Sequence, residues 1–218
     1  MPNASEWLLQ ARQHSHCPWV SVVDQCVCVC WCWLTRLVWC LVSVDFSPDS
    51  TKIVVGTEDN PGPVCVYEVG TGRTLITIPD LKASLYVSWC RTAPLIAVSE
   101  GGGKRVSMWH AETGAAVAVI PSLGFTPRGV SFSPDGHYLA VATYNFAPAR
   151  VCVWDVRSAA EAARSGGEGT LSLSSTPTHT LLAGQLGDAT TDIKWHQDGL
   201  FVADYGKKRL VQVTDLYA

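Results

Sequence analysis

The chain has 218 residues, of which 47% are hydrophobic and 16% are charged, and its net charge is −3 at neutral pH. This composition predicts a folded domain with a sizeable core rather than an intrinsically disordered chain. Because the charge balance is not basic, we expect no nucleic acid as the main partner.

Residues 1–40 differ in composition from the rest and are predicted to lie outside the fold. Six of the nine cysteines fall here, and residues 26–40 alternate cysteine with valine and tryptophan. A membrane segment is one interpretation, although Arg36 at its centre would cost about 2.5–3.5 kcal/mol. A zinc or copper site is another, but paired C-x2-C motifs are missing. We favour a third, the translation of a non-coding (TG)n repeat, which encodes alternating cysteine and valine.

The other three cysteines are spread singly, which is not typical of a secreted disulfide framework. We therefore expect a cytoplasmic protein, with membrane attachment the less favoured alternative.

From residue 41 the chain alternates apolar and polar residues in short runs separated by turn-forming residues, which predicts β-strands. Residues 41–78 contain four such runs and residues 86–120 contain another four. Ser-Pro-Asp-Ser at 47–50 predicts the first reversal, since proline and small polar residues favour turns.

A third set of strands begins in residues 128–156, where Ser-Pro-Asp-Gly at 133–136 repeats the turn. It is followed by residues 157–178, which are rich in Ala, Ser and Gly and are predicted to be a flexible insertion. The fourth strand of this set is predicted at 179–185. Residues 191–218 then supply three strands of a last, incomplete set.

The sets keep a common register. The equivalent residues Val44, Val87, Val130 and Ile193 are separated by about 43, 43 and 63 residues. A four-strand unit of this length ending in Trp-Asp resembles the WD-repeat (WD40) family. Residues that match the repeat motif are Trp109, Trp154, Asp155 and Asp215 at third-strand ends, and Asp49, Asp135 and Asp198 in the turns.

The resemblance implies an all-β fold, a β-propeller fragment of four-stranded antiparallel blades, three full and one incomplete. Because propellers typically have about 4–8 blades in a closed ring, we expect missing blades or another chain to complete it. The family also implies a buried network in which a loop histidine joins a strand hydroxyl, here from Thr57, Ser99 or Thr143, and an indole of Trp109 or Trp154. Because residues 79–85, 121–129 and 186–191 contain no histidine, we expect this network to be incomplete.

The residues contain no catalytic constellation, and we expect neither an enzyme nor a cofactor or metal site. The family resemblance implies a non-catalytic scaffold that binds proteins or peptides. Two alternatives stay open: a regulatory propeller of a larger enzyme or of a cytoskeletal or ciliary protein, and a membrane-tethered propeller. The candidate partner-binding residues, placed before or at the start of first strands, are Tyr86, Arg128 and Asp192.

Overall fold

A computed structural model describes residues 41–58, 61–82, 85–144, 149–167, 169–182, 185–187, 190–204 and 206–214. Its strands form four separate antiparallel sheets, which follow one another along the chain as the blades of a propeller. The predicted all-β propeller class is therefore confirmed, with four blades. Residues 1–40, the subject of the membrane, metal and non-coding hypotheses, lie outside the described residues, as does Asp215.

Blades 1 and 2 are four-stranded meanders in which each strand pairs with the next one along the chain. Asp49 and Gly70-Thr71-Gly72 lie in two of the connecting turns, where short polar residues and glycine permit tight reversals. The strands of blade 1 are β1 (Leu41–Phe46), β2 (Lys52–Thr57), β3 (Gly62–Glu68) and β4 (Thr74–Leu81). Those of blade 2 are β5 (Leu85–Trp89), β6 (Leu95–Glu100), β7 (Arg105–His110) and β8 (Ala116–Ile120).

Blade 3 has the same topology, but a long excursion separates its third strand from its fourth. Its strands are β9 (Thr126–Phe132), β10 (Tyr138–Tyr144), β11 (Val151–Asp155) and β13 (His179–Leu181). The excursion contains α1 (Arg157–Ser165) and β12 (Leu171–Ser172). Blade 4 comprises β14 (Thr190–His196), β15 (Gly199–Asp204) and β16 (Arg209–Val213).

The excursion is not the flexible loop that its composition predicts, and this expectation was wrong. In α1, the side chains of Ala159, Ala160 and Ala163 are buried in the core between blades 2 and 3. The helix ends at Gly166, whose φ of 66° is the left-handed conformation that glycine adopts readily. Strand β12 then pairs in parallel with β8, so blade 2 gains a fifth strand at its outer edge.

Three hydrophobic clusters hold the blades together in series. One joins blades 1 and 2, the next joins blades 2 and 3, and the third joins blades 3 and 4. Each cluster is built from the alternate residues of the strands, since successive side chains of a strand point to opposite faces. No cluster of buried residues joins blade 4 to blade 1 in the described part of the chain.

The innermost strands β1, β5, β9 and β14 are also linked by a repeated hydrogen bond. The amide N–H of Trp89 donates to Asp45 Oδ2 at 2.8 Å, and that of Phe132 donates to Ser88 Oγ at 3.3 Å. The N–H of Trp195 donates to Ser131 Oγ at 2.9 Å. A small side chain at one register position therefore accepts a backbone bond from the following blade at all three packed junctions.

Within the described ranges, no helix is long and apolar enough to cross a membrane.

Candidate interaction face

The three candidate partner-binding residues lie at the same end of the propeller. Tyr86, Arg128 and Asp192 all belong to the first halves of inner strands, in β5, β9 and β14 respectively. Gly129 lets these strands approach closely: its φ is 30°, and a Cβ added there would lie 2.9 Å from the amide nitrogen of Ile193. A larger residue at this position would push blades 3 and 4 apart at the axis.

Arg128 is held by two aromatic rings rather than by an ion pair. Its guanidinium carbon lies 3.9 Å from the ring centroid of Tyr144 and 5.9 Å from that of Tyr86. Both distances are within the range of a cation–π interaction, which Arg often forms with its guanidinium over the ring. Within the described residues, these ring contacts are the interactions of the Arg128 guanidinium, and its N–H groups lie at the end of the propeller where the inner strands start.

Burial and neighbouring charges shift the pKa values of Tyr86 and Asp192, which lie near Arg128. Burial raises the pKa of Tyr86, and the positive charge of Arg128 opposes the shift while Asp192, Glu58 and Tyr144 add to it. Surrounding protein atoms also raise the pKa of the Asp192 carboxyl, against the effect of the Lys194 ammonium. We call the set Tyr86, Arg128, Tyr144, Asp192 and Glu58 the tyrosine–arginine patch.

The sequence did not single out two members of this patch, Tyr144 and Glu58. Tyr144 ends β10, two residues beyond Ala142, which pairs with Arg128 across the sheet. Glu58 directly follows β2, which runs antiparallel to β1. Both side chains therefore reach the end of the propeller at which the inner strands start. In an antiparallel hairpin the end of the second strand lies beside the start of the first. Aligning the two strands of each blade in the sequence would therefore have placed Tyr144 and Glu58 at this end.

The recurring turn aspartates are bound within their own turns. Asp49 accepts hydrogen bonds from the Ser47 hydroxyl and from the hydroxyl and amide of Thr51. These bonds, the one from Ser47 first, lower the pKa of Asp49 to about 2. Asp135 is bonded in the same way to Ser133. Asp198 lies 3.0 Å from Nδ1 of His196.

The Trp-Asp residues of blade 3 anchor the excursion that follows them. Trp154 is buried, and its indole N–H donates to the carbonyl of Ser174 at 3.1 Å. Asp155 accepts bonds from both Nε and Nη2 of the Arg157 guanidinium at the start of α1. The residue pair that closes the third strand therefore fixes both ends of the segment that follows it.

The hydroxyl–indole network implied by the family resemblance is replaced by a different set of contacts. The indole N–H of Trp109 donates to Ser107 Oγ at 2.9 Å, and Ser107 in turn donates to Glu100 Oε1 at 2.8 Å. The hydroxyl of Ser99 is buried and has no hydrogen-bond partner among the described residues. Glu100, which the sequence analysis did not single out, is thus the buried acceptor of blade 2.

Equivalent residues close the second hairpin of every blade. The carboxylate of Glu100 is buried and accepts bonds from Arg105 at 2.8 and 3.0 Å. Asp204 accepts one from Arg209 at 3.2 Å. Blades 1 and 3 use a threonine hydroxyl instead, that of Thr57 or Thr143. The sequence marks the threonines, but it gives no local signal for the two buried acids.

Among the described residues, no group of three or more His, Cys, Asp or Glu side chains could hold a metal ion. Cys65, Cys90 and Cys152 are free thiols, and burial raises the pKa of the Cys152 thiol.

Radial antiparallel sheets whose third strands end in Trp-Asp or its variants define a WD-repeat β-propeller fold. The comparisons with known proteins support this assignment. Two solved structures, "Structure of U3-55K" and "Crystal structure of RRP9 WD40 repeats", superpose with TM-scores of 0.57 at 14% sequence identity. They match 80% and 81% of this chain, which spans 52% and 51% of their chains.

One curated relative is also similar over a shorter stretch. The ribosome biogenesis protein BOP1 homolog of Aedes aegypti is 30% identical over 77 residues, or 35% of this chain. That stretch is 9% of the relative's length, so this chain spans a small part of it. No protein-family model matches the sequence. The fold is therefore that of WD-repeat proteins, and the relatives do not fix the activity.

Proposed function

We propose that this chain is a non-catalytic scaffold of the WD-repeat type that binds a protein or peptide partner through the tyrosine–arginine patch. The observation that carries the proposal is the position of the Arg128 guanidinium, which lies within cation–π distance of the rings of Tyr144 and Tyr86. Tyrosine and arginine are enriched at the energetic centres of protein interfaces. Stacking also reduces the conformational freedom that Arg128 would lose on binding.

The proposal includes a cytoplasmic location and a ring that requires further blades. Two observations support the need for further blades. The described blades pack in series without a hydrophobic cluster between the last and the first. In addition, the chain spans about half of each solved propeller that it resembles.

A role in ribosome biogenesis is a second candidate, and its support is the named relative with 30% identity over 77 residues. On this hypothesis the scaffold would bind components of a ribosome-assembly complex. Purified partners enriched in ribosome-assembly proteins would favour it over an unrelated scaffold.

The patch is tested by comparing the partners of the tagged full chain with those of a Tyr86→Ala/Arg128→Ala variant. We expect the double variant to lose its specific partners, because truncating such anchors typically costs about 2 kcal/mol or more, roughly 30-fold in affinity. The control is Arg73→Ala, a largely exposed residue on an outer hairpin of blade 1. Matching melting temperatures would show that all three proteins are folded, and an unchanged partner set in the double variant would refute the proposal.

A further inference from the structure

The first hairpin turns of the blades lie at the end of the propeller opposite the tyrosine–arginine patch. Each turn follows the end of an inner strand, whereas Tyr86, Arg128 and Asp192 lie where those strands start. Because neighbouring turns meet at each packed junction between blades, the same type of contact can form three times. The turns span residues 47–51, 90–94, 133–137 and 197–198.

An arginine side chain binds the backbone near the turn at the first two junctions. Between blades 1 and 2, the Arg91 guanidinium donates to the carbonyl oxygen of Phe46 at 3.2 Å and lies 3.4 Å from Asp45 Oδ1. Beside blades 2 and 3, Arg164 of α1 donates to the carbonyl oxygen of Thr92 at 3.3 Å. A guanidinium has five donors in a fixed fork, so it can bind several such oxygens at once. A guanidinium from this chain therefore lies beside each of the first two turns.

The third junction has a cavity instead. A space of about 410 Å³ lies between the turns of blades 3 and 4. Gln197 occupies the position that Arg91 has in blade 2, two residues after the aromatic residue that ends the inner face, Trp195 or Trp89. Among the described residues, no lysine or arginine side chain lines this cavity. Its walls include Pro134, Asp135, Trp195, His196, Gln197 and Asp198.

The side chains of this cavity suit a cation. Asp135 and Asp198 bring one carboxylate from each turn to its walls. Burial opposes the ionisation of Asp135, but hydrogen bonds from the Ser133 hydroxyl and the His137 amide outweigh it and hold the pKa of this carboxyl below its ordinary value. Asp135 is therefore charged at neutral pH. Trp195 adds an indole ring, the aromatic group that attracts a guanidinium most strongly.

We propose that this cavity receives an arginine side chain of a partner protein, as a binding site separate from the tyrosine–arginine patch. The guanidinium lies beside the turn of blade 3 as that of Arg91 lies beside the turn of blade 1. Its N–H groups donate to the carboxylates of Asp135 and Asp198, and its flat face rests on the indole of Trp195. Lysine binds less well, because an ammonium lacks both the fork of parallel donors and a flat face.

The site is tested with the full chain and three short peptides that differ in one side chain. The probe is an acetylated peptide amide with arginine between two glycines, and the control peptides carry lysine or citrulline, which has the shape of arginine without its charge. The amide NMR signals of Trp195, Asp198 and Gly199 should shift with the arginine peptide and saturate with a dissociation constant of about 1 mM, as for one anchored side chain. No saturable shift, or equal binding of either control peptide, would overturn the proposal.

A change of charge locates the peptide in the cavity. Asp198→Lys puts an ammonium at its wall and should abolish binding of the arginine peptide. Glu112→Lys is the matched control, since it makes the same change in charge at an exposed side chain in the outer hairpin of blade 2, at the same end of the propeller. Its binding should be that of the natural chain. Equal melting temperatures would show that both variants are folded, and binding that persists in Asp198→Lys would refute the proposed site.

A second variant fills the cavity from within the chain. Gln197→Arg introduces the arginine that blade 2 has at this position, so its guanidinium should exclude the peptide and raise the melting temperature by about 1–4 °C. Gln197→Ala leaves the cavity open and should bind the peptide like the natural chain. Equal binding by these two variants would contradict the proposed position of the guanidinium.

The Tyr86→Ala/Arg128→Ala variant separates this site from the tyrosine–arginine patch. It should bind the arginine peptide normally, because the cavity lies at the other end of the propeller. Loss of binding in this variant would place the peptide at the patch and overturn the proposal. The peptide titration and the partner test of the patch can therefore fail independently of each other.

Discussion

Glu100 shows how one buried side chain organises the surrounding strand ends. Its carboxylate is fully inaccessible and receives bonds from Arg105, from the Ser107 hydroxyl and from the amide of Lys82. Burying a charge is costly unless it is paired and hydrogen-bonded, and here both oxygens are occupied. This carboxylate joins the β6–β7 hairpin to the end of blade 1.

We expect Glu100→Ala to destabilise the fold by about 3–5 kcal/mol, because breaking a buried pair leaves the remaining polar groups without a partner. Glu68→Ala is the control, since its pair with Arg73 has a separation of 3.8 Å and is exposed. Such surface pairs contribute about 0–1 kcal/mol. Urea unfolding followed by tryptophan fluorescence measures both, and similar losses for the two variants would contradict the assigned role of Glu100.

At the scale of single residues, local motifs were predictable and long-range pairs were not. The Ser-Pro-Asp turns are encoded in four consecutive residues, so Asp49 and Asp135 could be placed in them directly. The pairing of Glu100 with Arg105 and Ser107 requires the register of a hairpin. The contact between Arg128 and Tyr144 likewise requires two strands to be aligned with a bulge.

Helix α1 is the element in which composition was misleading. Its buried side is made of alanines only, and small side chains give a weak apolar stripe in a segment also rich in serine and glycine. These alanines allow the helix to lie close to blade 2, because they fill little space between the helix and the sheet. The strands were easier to predict, since β-branched and aromatic residues recur in short runs bounded by turn-forming residues.

Because the alanine side of α1 packs closely on the core, we expect that a larger side chain on this side destabilises the protein. Ala160→Leu should cost about 1–3 kcal/mol through overpacking. Ser158→Leu introduces the same side chain at an exposed position two residues earlier and should change the stability by less than about 0.5 kcal/mol. Thermal unfolding compares the two variants, and equal melting temperatures would show that α1 does not pack as described.

At the scale of the whole molecule, the serial arrangement of clusters predicts unequal stability among the blades. Blades 2 and 3 are packed on both faces, whereas blades 1 and 4 each have one packed face. Hydrogen–deuterium exchange should therefore be slowest in β6, β7 and β10 and faster in β1 and β16, because local opening follows the density of buried contacts. The opposite order would contradict the serial packing.

The repeat period was sufficient to predict the number of blades, because Val44, Val87, Val130 and Ile193 recur at nearly regular intervals. It was not sufficient to predict how the first and last blades differ from the others. That difference depends on Lys194 standing at a position where the other blades have an acceptor.

The hydrogen bonds from Trp89, Phe132 and Trp195 to the preceding blade all lie on the innermost strands. These bonds set the spacing between adjacent blades at the axis. They place no constraint on the outer strands of each blade. Extra chain can therefore be added at the outer edge without changing the distances between the innermost strands. The segment 157–178 is such an addition, and the outer hairpins are accordingly the sites at which a tag or fluorophore should be least disruptive.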